Sequence, residues 1–440
     1  MTDLAIGSPW APYGLRDDPY FQQPLEPRRD ERAARPITLF VGRDRDLQLL
    51  GNQIVGSSNS RAIVQGDAGV GKTSFVNCLK SVLVAHDVLT HADPVRVKPG
   101  MSPHHFVAEV LKVLIQMRAT LELATSGALT KKIGSAAKRE TGLGAEQTFW
   151  RRVGRLIQGE DSTAAGVSVA AVGVQRERVR IPAEVADLSL YGELAQAITY
   201  LSDHGKHRVL IHVNNLENLA RDDAAAAAGL MQDVRDCFLA DHSHWLFVGT
   251  TNIEEAVFRA SPQVSGIIPF AITLGPLRPD EVGELLERRY RHLQSGLRIV
   301  HPVAPDAGAA LYARYHGHLR DFLSLLSNAV QRHTVLAPAT PLGTDEIVKL
   351  MEPTFRADKL VRRIGEGDAN HLATVLHGEP YDAEFRVAEV SKATGTTQAA
   401  ASKLVRRLLD AGVIVQSRTQ GQSVYYRVSH GDLTIALGLR

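Results

Sequence analysis

Eight consecutive residues, Gly66-Asp67-Ala68-Gly69-Val70-Gly71-Lys72-Thr73, carry the clearest chemistry in the chain. They fit G-x-x-x-x-G-K-S/T without a mismatch, a spacing in which glycines let the backbone wrap a phosphate and turn N–H groups toward its charge. Lys72 would reach the β- and γ-phosphates of a nucleotide, and the Thr73 hydroxyl would ligate Mg²⁺. Ser74 opens a helix whose N-terminus adds its partial positive charge.

Such a loop works only between a strand and a helix, and both are legible. Residues 61–65 form a short apolar run, and 74–84 read as a helix. Residues 94–97, 208–213 and 245–248 read as further strands, and 103–117 has helical spacing at Phe106, Val110, Val113 and Leu114. Strands alternating with helices imply an α/β parallel sheet covered on both faces. Residues 121–182 break the rhythm. The small apolar run 165–174 reads as a hairpin or strand insertion, with Arg176, Arg178 and Arg180 following at alternate positions. The insertion is either structural or a partner or nucleic-acid contact.

Pro279 falls in the first turn of an amphipathic helix over 278–293, and helices continuing to about 355 would form a lid. The first 36 residues contain Pro9, Pro12, Pro19, Pro24, Pro27 and Pro36 and read as an irregular arm. The division expected is therefore an arm (1–36), a P-loop domain (37–275), a helical lid (276–357) and a final unit (358–440).

That final unit has its own pattern. Residues 385–395 read as a first helix ending at a glycine turn, and 396–412 as a second with Thr397 as N-cap. Leu404, Leu408 and Leu409 mark its buried face, while Gln398, Ser402, Lys403 and Arg406 fall opposite, where a recognition helix meets a major groove. Two strands, 413–418 and 424–428, form a wing that sets Arg418 and Arg427 toward phosphates. This is the pattern of a winged helix-turn-helix, which binds duplex DNA or mediates protein contacts.

The order of several further pieces resembles AAA+ ATPases of the initiator type, the group of origin-recognition and replication-licensing ATPases. Phe40-Val41-Gly42-Arg43-Asp44-Arg45-Asp46-Leu47 is similar to the family's FVGREREL segment near the adenine. Val248-Gly249-Thr250-Thr251-Asn252 looks like its sensor-1 strand, which implies that Asn252 touches the γ-phosphate or the attacking water. Gly317-His318-Leu319-Arg320 resembles the GDLR sensor-2 signature, which implies that Arg320 reaches the γ-phosphate from the lid. The resemblance runs from about residue 38 to the C-terminus, apart from the insertion, and implies ATP and Mg²⁺ as ligands. A second likeness, of Tyr13-Gly14-Leu15-Arg16-Asp17-Asp18-Pro19-Tyr20-Phe21 to the YGLxxxPF start of transposition and secretion-associated AAA+ ATPases, keeps a transposition regulator open.

Two positions depart from the family. Its Walker B strand ends in Asp-Glu, whereas here the strand over 209–213 is followed by Asn214 and Asn215. Asn214 would accept from a metal-bound water without supplying charge, Asn215 would position a water without taking its proton, and Glu217 is the nearby carboxylate. Loss of a catalytic base costs on the order of 10²–10⁴-fold in rate, so the expectation is ATP binding with slow or absent hydrolysis. The arginine-finger pattern places Gln263 where the finger belongs, with Arg259 close by as either a surface arginine or a substitute.

Composition bounds the alternatives. The 440 residues are 44% hydrophobic and 22% charged with net charge +2, so any nucleic-acid surface must be local. Two cysteines, Cys78 and Cys237, supply neither a zinc site nor a disulfide framework. With no signal peptide or membrane span in the pattern, a cytoplasmic protein is expected. The 17 histidines lack metal spacing and read as surface or capping residues. Three functions remain: a DNA-binding ATP switch, a signalling or defence regulator that oligomerises on nucleotide and uses the winged helix for protein contacts, and a transposition ATPase.

Overall fold

The computed structural model describes residues 7–26, 34–129, 149–150, 153–154, 183–205, 208–220, 223–259, 261–336 and 339–439. The expected hairpin at 165–174 and the arginines at 176, 178 and 180 lie outside them. The chain divides into two compact units, Arg43–Asp67 with Phe75–Leu274, and Met1–Gly42 with Ala68–Ser74 and Gly275–Arg440.

The first unit is a parallel sheet. Its strands are β1 (Ser60–Gln65), β2 (Val88–Leu89), β3 (Val95–Arg96), β4 (Arg208–Asn214), β5 (Ser243–Gly249) and β6 (Phe270–Thr273). They run in the order β2-β4-β5-β1-β6, with β3 pairing the same edge of β4. The central strands β4 and β5 are buried almost throughout, which explains their unbroken apolar runs. Parallel pairing brings the C-terminal ends of β1, β4, β5 and β6 to one edge, where open α/β sheets bind ligands. Helices α1 (Asp44–Gly56), α2 (Lys72–Val84), α3 (Pro103–Leu129), α4 (Ala183–Gly205), α5 (Glu217–Ala220), α6 (Ala224–Asp233) and α7 (Pro262–Ser265) accompany it.

Helix α3 continues to Leu129, past residue 121 where the expected insertion begins. Its Phe106 packs with Phe238 and Trp245, whose rings lie 4.9 Å apart, and Phe238 packs in turn with Phe247. Each such fully buried side chain stabilises the fold by about 1.5–3 kcal/mol. Three histidines also lie in this unit's interior, contrary to the surface or capping reading: His91, His212 and His244. Lys80 Nζ donates to His91 O at 2.6 Å, and His91 Nε2 accepts the His212 N–H at 2.8 Å. Burial pushes His91 down to about 3 and His244 to about 4, so both are neutral imidazoles.

The second unit is helical. It contains α8 (Pro279–Leu293), α9 (Pro305–Arg314), α10 (Leu319–Leu336), α11 (Thr344–Phe355), α12 (Arg362–Val375, interrupted at Gly365), α13 (Val387–Thr394), α14 (Gln398–Asp410) and α15 (Gly431–Ala436). Strands β7 (Ile414–Gln420) and β8 (Ser423–Val428) form an antiparallel hairpin. One apolar cluster runs from Tyr13 and Tyr20 through Leu326 to Leu408 and Leu433. The lid and the winged helix therefore share a core. The N-terminal segment joins it too. Despite its prolines, Tyr13 and Tyr20 are fully buried, and the Tyr20 and Tyr290 hydroxyls meet at 2.7 Å. Arg289 is enclosed beneath the segment and donates to Pro19 O and Phe21 O, both at 3.0 Å.

Candidate functional site

Gly69 and Gly71 adopt φ of 82° and 98°, left-handed conformations that a β-carbon would strain. This is the backbone shape that turns successive N–H groups inward. Helix α2 starts at Lys72 rather than Ser74, so its first turn belongs to the loop itself. Ser74 Oγ accepts the Leu25 N–H at 3.2 Å, tying the loop's end to the N-terminal segment. Val70 is buried.

The turn bearing Arg320 belongs to the same unit as residues 68–74 and approaches them closely. A β-carbon placed on Gly69 would lie 3.4 Å from Arg320 Cβ and 3.7 Å from its backbone nitrogen. The turn is fixed from behind. Gly317 has φ 85°, and a β-carbon there would sit 2.4 Å from the Pro276 ring. Tyr312 Oη donates to Gly317 O at 3.0 Å and accepts the Leu277 N–H at 3.0 Å. The Val41-Gly42 step is equally confined, since Val41 is buried and a β-carbon on Gly42 would meet the Glu281 carboxylate at 2.8 Å. Arg288 holds this segment by donating to Thr38 O at 3.2 Å and Phe40 O at 2.6 Å. Arg43, at φ 62°, opens α1.

In the other unit, the ends of the strands are built around polar side chains. Gln65 closes β1, donating through Nε2 to Thr273 Oγ1 at 3.1 Å and accepting the Glu254 N–H at 3.3 Å. Asp67 accepts from Thr251 Oγ1 at 2.6 Å. Thr251, not singled out from sequence, thus joins the end of β5 to Asp67; its only signal was its place beside Asn252. Asn252 is exposed at φ 68°, and its carbonyl accepts the Ala256 N–H at 3.0 Å. At the end of β4, Asn214 Oδ1 accepts the Asn215 N–H at 2.9 Å, and Asn215 sits at φ 62°. Asparagine tolerates this conformation because its short polar side chain bonds locally. Glu217 Oε2 is buried without a hydrogen-bond partner, an atom whose charge a cation or its water would satisfy. Arg259 is exposed, and its guanidinium is held by Glu254 at 3.0 Å and Glu255 at 3.5 Å.

Helix α14 buries one side and exposes the other. Thr397 caps α14 by accepting the Ala400 N–H at 3.3 Å. Ala401, Leu404, Val405 and Leu408 are buried, while Gln398, Ser402, Lys403 and Arg406 are exposed together on the opposite side; Leu409 is half-buried. The wing differs from expectation. Arg418 is engaged by Glu384 at 2.6 Å, by Gln420 Oε1 at 3.1 Å and by the Tyr425 ring at 4.2 Å. Arg427 is half-buried with its Nε enclosed. Arg418 is thus a paired cation, whereas no ion pair holds Arg427 among the described residues.

Among the described residues no helix is long and apolar enough to cross a membrane, and no group of histidine, cysteine and acidic side chains could hold a metal ion by itself.

No protein-family model matches the chain, and no curated protein matches it. Solved structures do. The ORC1 protein of Aeropyrum pernix in complex with DNA is 14% identical at a TM-score of 0.43, over 91% of this chain and 92% of that one. A Walker-type ATPase of Pyrococcus abyssi is 11% identical at a TM-score of 0.46, over 96% and 100% of the two chains. The Cdc6p protein of Pyrobaculum aerophilum is 13% identical at a TM-score of 0.40, over 91% and 97%.

Proposed function

We propose that the chain is an ATP-binding switch of the AAA+ kind that binds duplex DNA through its C-terminal winged helix and hydrolyses ATP slowly or not at all. In this reading residues 37–275 hold the nucleotide, 276–357 close on it as a lid, and 358–440 meet DNA. The observation that carries it is the complete phosphate loop with left-handed Gly69 and Gly71, backed by the Arg320 turn. Gly66 to Ser74 would cradle the phosphates, and Val41, Gly42 and Arg43 would flank the adenine. Thr73 would hold Mg²⁺, with Asn214 as a further oxygen donor. Bound Mg²⁺ would neutralise charge on the β- and γ-phosphates.

What the chain lacks sets the pace. Asn215 and Asn252 would orient a water, but neither takes its proton, and Glu217 is the remaining base. Gln398, Ser402, Lys403 and Arg406 would enter the groove from α14. The A. pernix ORC1 structure was solved with DNA, and DNA is the partner we assign here.

Steady-state ATP turnover, with and without duplex DNA and beside Lys72→Ala, tests the switch. The expected result is turnover no higher than that of Lys72→Ala, with nucleotide binding lost in that variant. Turnover well above that background would overturn the slow-hydrolysis reading. Absence of salt-dependent duplex binding would favour the regulator that uses its winged helix for protein contacts.

A further inference from the structure

The turn between α9 and α10 touches the phosphate loop on one side and the last helix of the winged domain on the other. Arg320 approaches Gly69, as described. On either flank of that approach the turn is fastened to residues 430–439. Arg314 Nη1 donates to Leu439 O at 2.8 Å, and the Tyr315 hydroxyl donates to Asp432 Oδ1 at 2.6 Å. The Tyr315 ring is packed so tightly on α15 that a β-carbon on Gly431 would meet it at 2.7 Å.

The residue after Arg320 completes the fastening. Asp321 Oδ2 lies 2.9 Å from His430 Nε2. His430 caps α15, its Nδ1 accepting the Asp432 N–H at 3.2 Å. In the neutral ring that bond leaves the proton on Nε2, and the charged ring carries one there too, so Nε2 donates to Asp321 in either form. A solvent-open pocket of about 360 Å³ adjoins the seam, lined by Asp321, Lys359, Arg363, Ser429 and His430.

We infer that His430 is a positioning residue for the nucleotide site, acting through Asp321 to hold Arg320 against the phosphate loop. A displacement of the winged helix, as on binding a partner, is then passed to the loop through one side chain and the next residue of α10. The inference rests on the nucleotide-binding reading and names its regulation.

The test uses the full chain and measures dissociation constants for ATP and for ADP by calorimetry. Lys72→Ala comes first, because binding that survives it would sink the nucleotide-site reading itself. His430→Ala is then expected to weaken ATP about fivefold with ADP little changed, the size of a typical coupling between sites. Arg320→Ala should show a loss at least as large, and the double variant should be no worse than Arg320→Ala. His430→Gln, whose amide can donate to Asp321, should recover the ATP affinity. Additive losses in the double variant, equal loss of ATP and ADP, or no loss in a folded His430→Ala protein would each overturn the inference. So would an Arg320→Ala variant that binds ATP as the wild type does.

Discussion

The ends of β1 and β4 leave the same sheet edge and each leads through a tight turn into a helix, yet they keep different things. At β1 both shape and charge are present: left-handed Gly69 and Gly71 shape the loop, and Lys72 heads the helix. At β4 the shape is built just as firmly, with Asn215 at φ 62° and Asn214 bonding its neighbour's N–H. In the proposed reading what is missing there is charge, since the neutral amides of Asn214 and Asn215 would stand in place of two carboxylates. A backbone turn and its electrostatics are thus separable. Asn214 ties the turn through its side-chain carbonyl oxygen, and in the proposed reading the pair withdraws the charge that metal binding and proton transfer would use.

The comparison breaks most decisively at Lys72. Lys72→Ala removes the cation while leaving the turn in place, and nucleotide affinity should fall by about 100-fold or more in calorimetry, in line with losing a charge-assisted contact to phosphate. A variant that still bound nucleotide normally would mean that the loop's shape alone suffices. The β4 turn offers the reverse experiment. Asn214→Asp with Asn215→Glu restores the charge, and turnover should rise at least about tenfold, within the range a positioned base supplies. Unchanged turnover would place the defect elsewhere, with Gln263 and the paired Arg259 as the next suspects.

The same separation recurs inside the winged helix. Lys403 and Arg406 stand exposed on α14, whereas Arg418 of the wing is neutralised by Glu384. Lys403→Ala and Arg406→Ala should each weaken duplex binding about three- to tenfold and reduce the salt slope by about one phosphate contact. Arg418→Ala should change little. Equal losses from Arg418→Ala would show that the Glu384 pair opens on DNA.

Much of this arrangement was legible because it depends on local pattern. The phosphate loop, its flanking strand and helix, and the exposed face of α14 follow from spacing alone. The short strands β2 and β6 were not read, being two and four residues long and held by their neighbours in the sheet rather than by their own composition. The proline-rich start read as an irregular arm; its burial depends on the partner surface of α8, including the enclosed Arg289, which no local pattern announces. Thr251, the pairing of Arg418 and the fastening of the Arg320 turn were missed for the same reason. Each depends on a partner far away in the chain.

The smallest expected effect concerns the only one of these pairs that titrates near neutrality. The hydrogen bond from His430 to Asp321 raises the imidazole above its ordinary 6.5, while Asp321 is held below its ordinary 3.8. Asp321 faces His430 from α10, Asp432 from α15, His318 from the turn, and Lys359 and Arg363 from the segment before and within α12. Because the folded imidazole binds its proton more tightly than the unfolded one, its stabilisation is complete below pH 6.5 and is lost as pH rises through the raised value. The carboxylate works in the opposite direction, its contribution being lost only as pH falls through its own depressed value. Together they place the strongest fastening in mildly acid solution. The Tm difference between the wild type and His430→Gln, which cannot take the extra proton, should therefore be larger at pH 6 than at pH 8. A difference that did not vary with pH would mean that the neutral hydrogen bond, rather than the ion pair, holds the turn to the winged helix.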